Sequence, residues 1–365
     1  MKGSGKASVK TDHGRFFEDF RLGEVIRHAT PRTVGEGERA LYMALYGARF
    51  AVQSSDAFAR GLGWPRSPLD DLLVFHVIFG KSVPDVSLNA VANLGYAEGR
   101  FLKPVYPGTS LRAESEVIGL KPTSSGKTGI VWVRTTGYDE TGDAVLAFVR
   151  WVMVNRRSPG APVEEIHVPQ LEPAVPPAQL GAGLPADFDL SAWDDDLAGS
   201  PWRWEDYEPG ERIDHVDGMT VEEADHMLAT RLWQNTARVH FNQFLQENSR
   251  FGRRLVYGGH VISMARALSF NGLGGAFHIA AINGGVHAAP VFAGDTIHAW
   301  SEIVEKAPLP GREDLGALRI VTWAVKNRTA ADFPGAAEDG KGFAEGVVLK
   351  FDYWAVLPRR GRTSG

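Results

Sequence analysis

The chain has 365 residues, 44% hydrophobic and 23% charged, which suits two domains of ordinary size, each with its own core. A net charge of −5 and a pI near 6.1 exclude a general nucleic-acid binder, which carries a basic face. Without cysteine there are no disulfides, thiolate metal ligands or cysteine nucleophiles, and no apolar run reaches the roughly 18 to 20 residues of a membrane span.

Residues 1–14 (MKGSGKASVKTDHG) are polar, lack the apolar segment of a secretory signal and read as a disordered tail, so a cytoplasmic protein is the simplest expectation. A first domain, 15–157, opens on an aromatic, acidic and glycine block, FEDFRLGEVI (17–26). Leu41 and Leu45, four apart, predict a helix over 35–46. The segment 69–81 (LDDLLVFHVIFGK) predicts a second helix, apolar almost all round and therefore buried, with the acidic pair Asp70–Asp71 at its positive end. After Pro84, β-rich segments near 86–95, 109–119, 129–137 and 145–155 are separated by the turn signals SSGKTG (124–129) and DETGD (139–143). From 158 to 200 the composition shifts to Pro, Ala, Gly and Asp, which predicts an extended connector laid over the surface.

A second domain, 201–358, repeats the order, and 359–365 form a short tail. WEDYEPGERI (204–213) matches the first block at Glu18/Glu205, Asp19/Asp206, Gly23/Gly210, Glu24/Glu211 and Ile26/Ile213, an offset of 187 (204 − 17). A helix follows Thr220, where TVEE reads as a capping box with Glu223 reaching back. Another lies near 258–270, then β-rich segments at 277–286, 295–306, 318–328 and 344–356. HAAPVFAGDTI (287–297) matches FLKPVYPGTSL (101–111) at an offset of 186. Two separated blocks sharing one offset to within a residue indicate a duplicated domain. Each copy reads as α+β, one apolar helix wrapped by a curved antiparallel sheet, the hot-dog arrangement. One copy cannot cover both faces of its sheet, so the expectation is a tandem (double) hot-dog with the copies side by side.

The order of blocks resembles the MaoC-type dehydratases, the (R)-specific enoyl-CoA hydratase family, in duplicated form. That family carries Asp-x-Asn-Pro-(Leu/Ile/Val)-His in a loop, a His-Gly ahead of the core helix, and Phe-x-x-Pro-Val-x-x-Gly-Asp on a later strand. The last is present at 290–295 (PVFAGD) and degenerate at 104–109 (PVYPGT). The loop falls on 235–240 (NTARVH), with the family histidine at His240 and Asn235 where an aspartate is expected. At the 187 offset the first copy has Gln53 and Ala48, so the resemblance implies one active site, built on the second half, and a degenerate one in the first. His240 is then the candidate general acid and base. Gly258 and Gly259, in YGGH (257–260), are oxyanion-hole candidates, because glycine lets a thioester carbonyl approach the N–H groups of a helix start. Asparagine cannot take a proton. Either Asn235 orients the water, or another carboxylate serves, with Asp70 and Asp71 as candidates.

Within that family, QSSDAF (53–58), DDLLVFHVIFGK (70–81), 88–108 and RWVMVNR (150–156) are similar to the mesaconyl-CoA hydratases (β-methylmalyl-CoA dehydratases) of the ethylmalonyl-CoA and related carbon-assimilation routes. The resemblance implies a lyase that hydrates mesaconyl-CoA reversibly. It also implies CoA as part of the substrate, no separate cofactor or metal, no nucleic-acid or membrane partner, and a homodimer. A substrate with a second carboxylate needs a cation. Arg49, Arg100, Lys103 and Arg238 are candidates for that carboxylate or for CoA phosphates. Plainer readings stand beside these: His240 as a partly buried structural histidine, Gly258–Gly259 as a tight turn, Asp70–Asp71 as a helix start, His76 as a core residue. Two functions compete with the hydratase, a hot-dog acyl-CoA thioesterase and a non-catalytic acyl-CoA-binding protein. The thioesterase normally wants a carboxylate near the thioester, which the matched positions lack.

Overall fold

A computed structural model describes residues 10–163, 165–337 and 339–360; the first nine residues of the expected N-terminal tail and the last five of the C-terminal one lie outside these. Ten strands form, β1 (Val25–Val34), β2 (Ala90–Phe101), β3 (Thr109–Pro122), β4 (Thr128–Tyr138), β5 (Ala144–Asn155), β6 (Arg212–Thr220), β7 (His278–His287), β8 (Thr296–Pro308), β9 (Leu315–Lys326) and β10 (Val347–Pro358); burial alternates along β3, whereas β5, β7, β9 and β10 are buried at nearly every residue. Both halves lay them down in the same antiparallel order, β1-β3-β4-β5-β2 and β6-β8-β9-β10-β7. The halves join where β2 meets β7, through Gly99 opposite Ile282 and Arg100 opposite Ala281. A Cβ at Gly99 would lie 2.8 Å from Ile282 Cβ, so the seam closes on a residue without a side chain. The result is a tandem hot-dog, one ten-stranded sheet with β1 and β6 at its edges.

Each half wraps its sheet round one apolar helix, Asp71–Val86 in the first and Gly258–Leu268 in the second. One continuous core holds both, joining Leu72, Phe75 and Ile78 to Trp233, Val261 and Ile262. Asp70 caps the first helix by accepting from Leu72 N–H at 2.9 Å. That helix runs past its predicted end, through Pro84, and pushes the start of β2 from 86 to Ala90. In the last turn Pro84 removes a single backbone bond, and Ser87 N–H closes the end on Val83 O at 2.9 Å.

The repeated block has one mechanical role in both copies. Its acidic pair grips two arginines at the end of the last strand: Glu18–Arg156 at 3.3 Å and Asp19–Arg157 at 2.6 Å, Glu205–Arg359 at 3.2 Å and Asp206–Arg360 at 2.5 Å. Gly23 and Gly210 turn the chain at φ of 75° and 90°, where only glycine is unstrained.

Two expectations need correction. Thr220 is no helix cap: it ends β6 with its hydroxyl 2.9 Å from Thr296 Oγ1, and the helix starts at Glu223 without a side-chain cap. Strand pairing has taken the hydroxyl. The connector does not simply lie over the surface either. Val175, Leu180 and Phe188 sink into an apolar cluster with Phe277 and Trp354, and Trp354 Nε1 donates to Val175 O at 3.0 Å. That outer face of β7 and β10 is apolar and needs a cover, which the connector supplies.

Candidate active site

A cavity of about 330 Å³ lies between the halves. The first half contributes Phe79 and Val83 from the C-terminal part of its core helix, Asn93 and Tyr96 from β2, and Arg150 from β5. The second contributes Asn235, His240, Tyr257, Gly258 and His287. No aspartate or glutamate lines it among the described residues.

The loop after Glu223–Leu232 places the two sequence-predicted polar residues. Fully buried Trp233 anchors it, and its carbonyl packs directly on Gly80. Gln234 turns the chain at φ 54°, after which Asn235 N–H donates to Thr230 O at 3.0 Å. Asn235 Oδ1 accepts from Ala237 N–H at 3.1 Å, so its Nδ2 group is what it can offer the cavity. The short turn Arg238–Phe241 then presents His240, whose Nδ1 lies 2.9 Å from Leu255 O. A carbonyl only accepts, so Nδ1 carries the proton and Nε2 keeps a free lone pair. Burial presses the pKa of His240 down to about 4, leaving the imidazole neutral at neutral pH.

Gly258 and Gly259 open the second core helix, in a first turn whose N–H groups have no helical carbonyl behind them. Gly258 lines the cavity, and a Cβ there would sit 2.5 Å from His287 Nδ1. Gly259 packs below, against His76 and the Tyr257 ring, and does not line it. His287 ends β7 and is joined to Tyr96 OH through Nε2 at 3.1 Å. Its pKa is lowered to about 4, by burial first and then by His240, so the cavity holds two neighbouring neutral imidazoles.

Other sequence candidates fall elsewhere. Asp70 and Asp71 sit at the N-terminus of the first core helix, while Phe79 and Val83, two turns and more along it, reach the cavity. At about 1.5 Å per residue, Asp71 stands roughly 12 Å up the axis from Phe79. Burial and then Asp71 raise the Asp70 pKa to about 6, and Asp71 bonds His278 Nδ1 at 3.0 Å and Ile279 N–H at 2.7 Å. The proposed cations are also engaged outside the cavity. Arg49 lies over Phe270 at 4.7 Å, Arg100 donates to Gln179 at 3.1 Å, Lys103 pairs with Asp139 and Asp143, and Arg238 donates to Asn89 Oδ1 at 2.7 Å. His76 is a core residue, its ring tilted against that of Trp233 with centroids 4.4 Å apart.

Sequence reading passes over His287, Tyr96 and Arg150. His287 heads the second copy of a repeated block where the first copy has Phe101, and that exchange of an apolar for a polar ring was the available signal. Arg150 interrupts the apolar run AFVRWVMV of β5, a signal of the same kind.

Comparison with known proteins agrees with this architecture. Residues 6–337 match the family model described as mesaconyl-CoA hydratase. The chain is 57% identical to the β-methylmalyl-CoA dehydratase of Chloroflexus aurantiacus, over 97% of this chain and all of that one. It is 58% identical to the mesaconyl-CoA hydratase of Cereibacter sphaeroides, over 96% of this chain and all of that one. The crystal structure of a MaoC-domain dehydratase from Chloroflexus aurantiacus superposes with a TM-score of 0.94 at 56% identity, covering 97% of this chain and all of the other. The chain therefore belongs to the mesaconyl-CoA hydratase family and is an enzyme of the hydro-lyase class.

Proposed function

We propose that the enzyme hydrates mesaconyl-CoA reversibly to β-methylmalyl-CoA in this cavity, with His240 as general base and acid. One observation carries the reading: His240, neutral with Nε2 free, faces the same cavity as Gly258 at a helix N-terminus. The names of the relatives supply the substrate. Water held at Nε2 gives up a proton as its oxygen bonds Cβ, and the C=C electron pair moves towards the thioester oxygen. The Gly258 N–H and the positive helix end stabilise that charge. A proton then bonds Cα, so the net change is addition of H and OH. Asn235 orients the water through Nδ2, and His287 is the second imidazole within reach of the reacting carbons. A replacement carboxylate has no support, because Asp70 and Asp71 lie off the cavity; the same lack of carboxylates counts against the thioesterase alternative. Arg250, lining the outer part of the cavity over the Phe251 ring at 4.4 Å, suits a CoA phosphate.

The test is a mass-resolved assay of wild type and His240→Ala with mesaconyl-CoA and with crotonyl-CoA. Addition of one water to mesaconyl-CoA, little to crotonyl-CoA, and a rate at least ~100-fold lower in the variant are expected. Release of free CoA, or an unchanged rate in the variant, refutes the reading.

A further inference from the structure

Arg150 is a buried charge without a counter-ion. It exposes none of its surface, and no carboxylate pairs with it among the described residues. Its guanidinium lies over the Phe79 ring at 4.3 Å and donates to Ser82 Oγ at 2.8 Å. Its contacts with Ser87 Oγ are long, 3.3 and 3.4 Å, and its Nε has no partner. Burial lowers its pKa to about 10, which still leaves it charged at neutral pH. Hydroxyls and an aromatic face offset only part of the cost of taking a guanidinium out of water. The same cavity collects further buried polar atoms without partners, the Tyr257 hydroxyl and both amide atoms of Asn93. Proteins rarely leave such atoms unpaired, and here the unpaired set is made mostly of donors around a fixed positive charge.

We propose that Arg150, together with Asn93 and Tyr257, receives the free carboxylate of a dicarboxylic acyl-CoA and selects it over monocarboxylic analogues. This rests on the mesaconyl-CoA reading, in which that carboxylate is attached to Cβ, the carbon that water attacks. Ser87, half exposed and lining the cavity, makes the weakest of the guanidinium's contacts, and a carboxylate entering past it exchanges them for charge-assisted bonds. The planar fork of arginine suits a carboxylate better than a lysine would. Pinning the carboxylate also fixes Cβ relative to His240, so one contact serves affinity and orientation.

The experiment compares kcat/KM for mesaconyl-CoA with that for tiglyl-CoA, in which a methyl group replaces the carboxylate, in wild type, Arg150→Met and Ser87→Asp. Wild type is expected to prefer mesaconyl-CoA by ~100-fold or more. Arg150→Met is expected to lose at least ~10-fold of that preference, through the mesaconyl-CoA value. Ser87→Asp gives the guanidinium an internal carboxylate without opening a hole, is expected to fold, and is expected to lose the preference likewise; it decides the matter alone if Arg150→Met does not fold. A preference that survives, or equal losses on both substrates, overturns the receptor role. Wild type hydrating both substrates equally overturns it too but leaves the hydratase reading standing, whereas hydration of neither removes both.

Discussion

Gly80→Ala tests whether the first half of the chain holds the loop of the second that carries Asn235 and His240. A Cβ at position 80 would lie 2.9 Å from the Trp233 carbonyl carbon, closer still to its oxygen, and 3.4 Å from Asn235 N. The obstacle is backbone, and Trp233 cannot retreat easily, with its ring between His76 at 4.4 Å and Tyr257 at 5.4 Å. Relieving the overlap moves the loop by roughly 1 Å, a misplacement that can cost about 100-fold in rate when it displaces reacting groups. Stability suffers less. Overpacking costs about 1–3 kcal/mol, and the better helix propensity of alanine returns about 1 kcal/mol, leaving a net loss of at most about 2 kcal/mol and a melting temperature lower by a few degrees at most. The expected signature is therefore a folded protein with a kcat/KM on mesaconyl-CoA reduced by one to two orders of magnitude. Gly37→Ala is the matched control, since nothing lies within 4 Å of a Cβ there, and both activity and stability should hold. Activity of Gly80→Ala within a factor of about two of wild type would refute the claim that this contact positions Asn235 and His240.

Two further predictions follow from the same geometry. Fully buried His215 and His260 have pKa values lowered to about 4 and about 3, by burial first, from an ordinary 6.5. Below pH 6.5 the unfolded chain takes up protons that the folded one refuses, so stability falls as pH drops from 6.5 towards 4, by on the order of 3 kcal/mol for His215 alone; a urea midpoint unchanged between pH 7 and pH 5 would contradict this. Lys103, its pKa raised to about 12 by Asp139 and Asp143, clamps a turn outside the cavity. Lys103→Ala should cost up to about 1 kcal/mol in urea unfolding and leave kcat/KM for mesaconyl-CoA unchanged.

What the sequence made legible was what local pattern determines. The β-rich segments at β3–β5 and β8–β10, the apolar stretch from Leu72 to Phe79 and the offset between FEDFRLGEVI and WEDYEPGERI gave the tandem hot-dog, because each segment and each copy of the block is read from residues near one another in the chain. His240 and Asn235 came through the resemblance, and the cavity they line was not readable from either. Asp70 and Asp71 lie away from the cavity because their helix points its other end at it, a matter of packing direction. Arg49, Arg100, Lys103 and Arg238 lie outside it for a related reason. Their partners are distant in the chain: Lys103 meets Asp139 36 positions away and Arg238 meets Asn89 across 149. Arg150 is the reverse case, since its apolar strand marks it as unusual but only the fold shows that no carboxylate comes to meet it.

The two copies have diverged in complementary ways. At the repeat offsets, His240 and Asn235 correspond to Gln53 and Ala48, Gly258 to Asp71 and His287 to Phe101. Where the first copy would have its cavity, a space of about 10 Å³ remains, room for one water, lined by Asp71, Phe101, His278 and Gly183 of the connector. A Cβ at Gly183 would come within 2.5 Å of His278 Nε2, so the connector seals that place as tightly as a backbone can. Gln53 donates to Phe277 O at 2.7 Å, and Asp71 holds the first residues of β7. Gln53 and Asp71 thus bind the halves together at the positions where the second copy has cavity-lining His240 and Gly258. The first copy still contributes, because Phe79, Tyr96 and Arg150 wall the remaining cavity from its side. Residues 201–358 alone would keep His240 and Gly258 but lose that wall and bare β7 along its seam with β2. The cavity is thus a joint product of both halves, with His240 and His287 from one and Phe79, Tyr96 and Arg150 from the other.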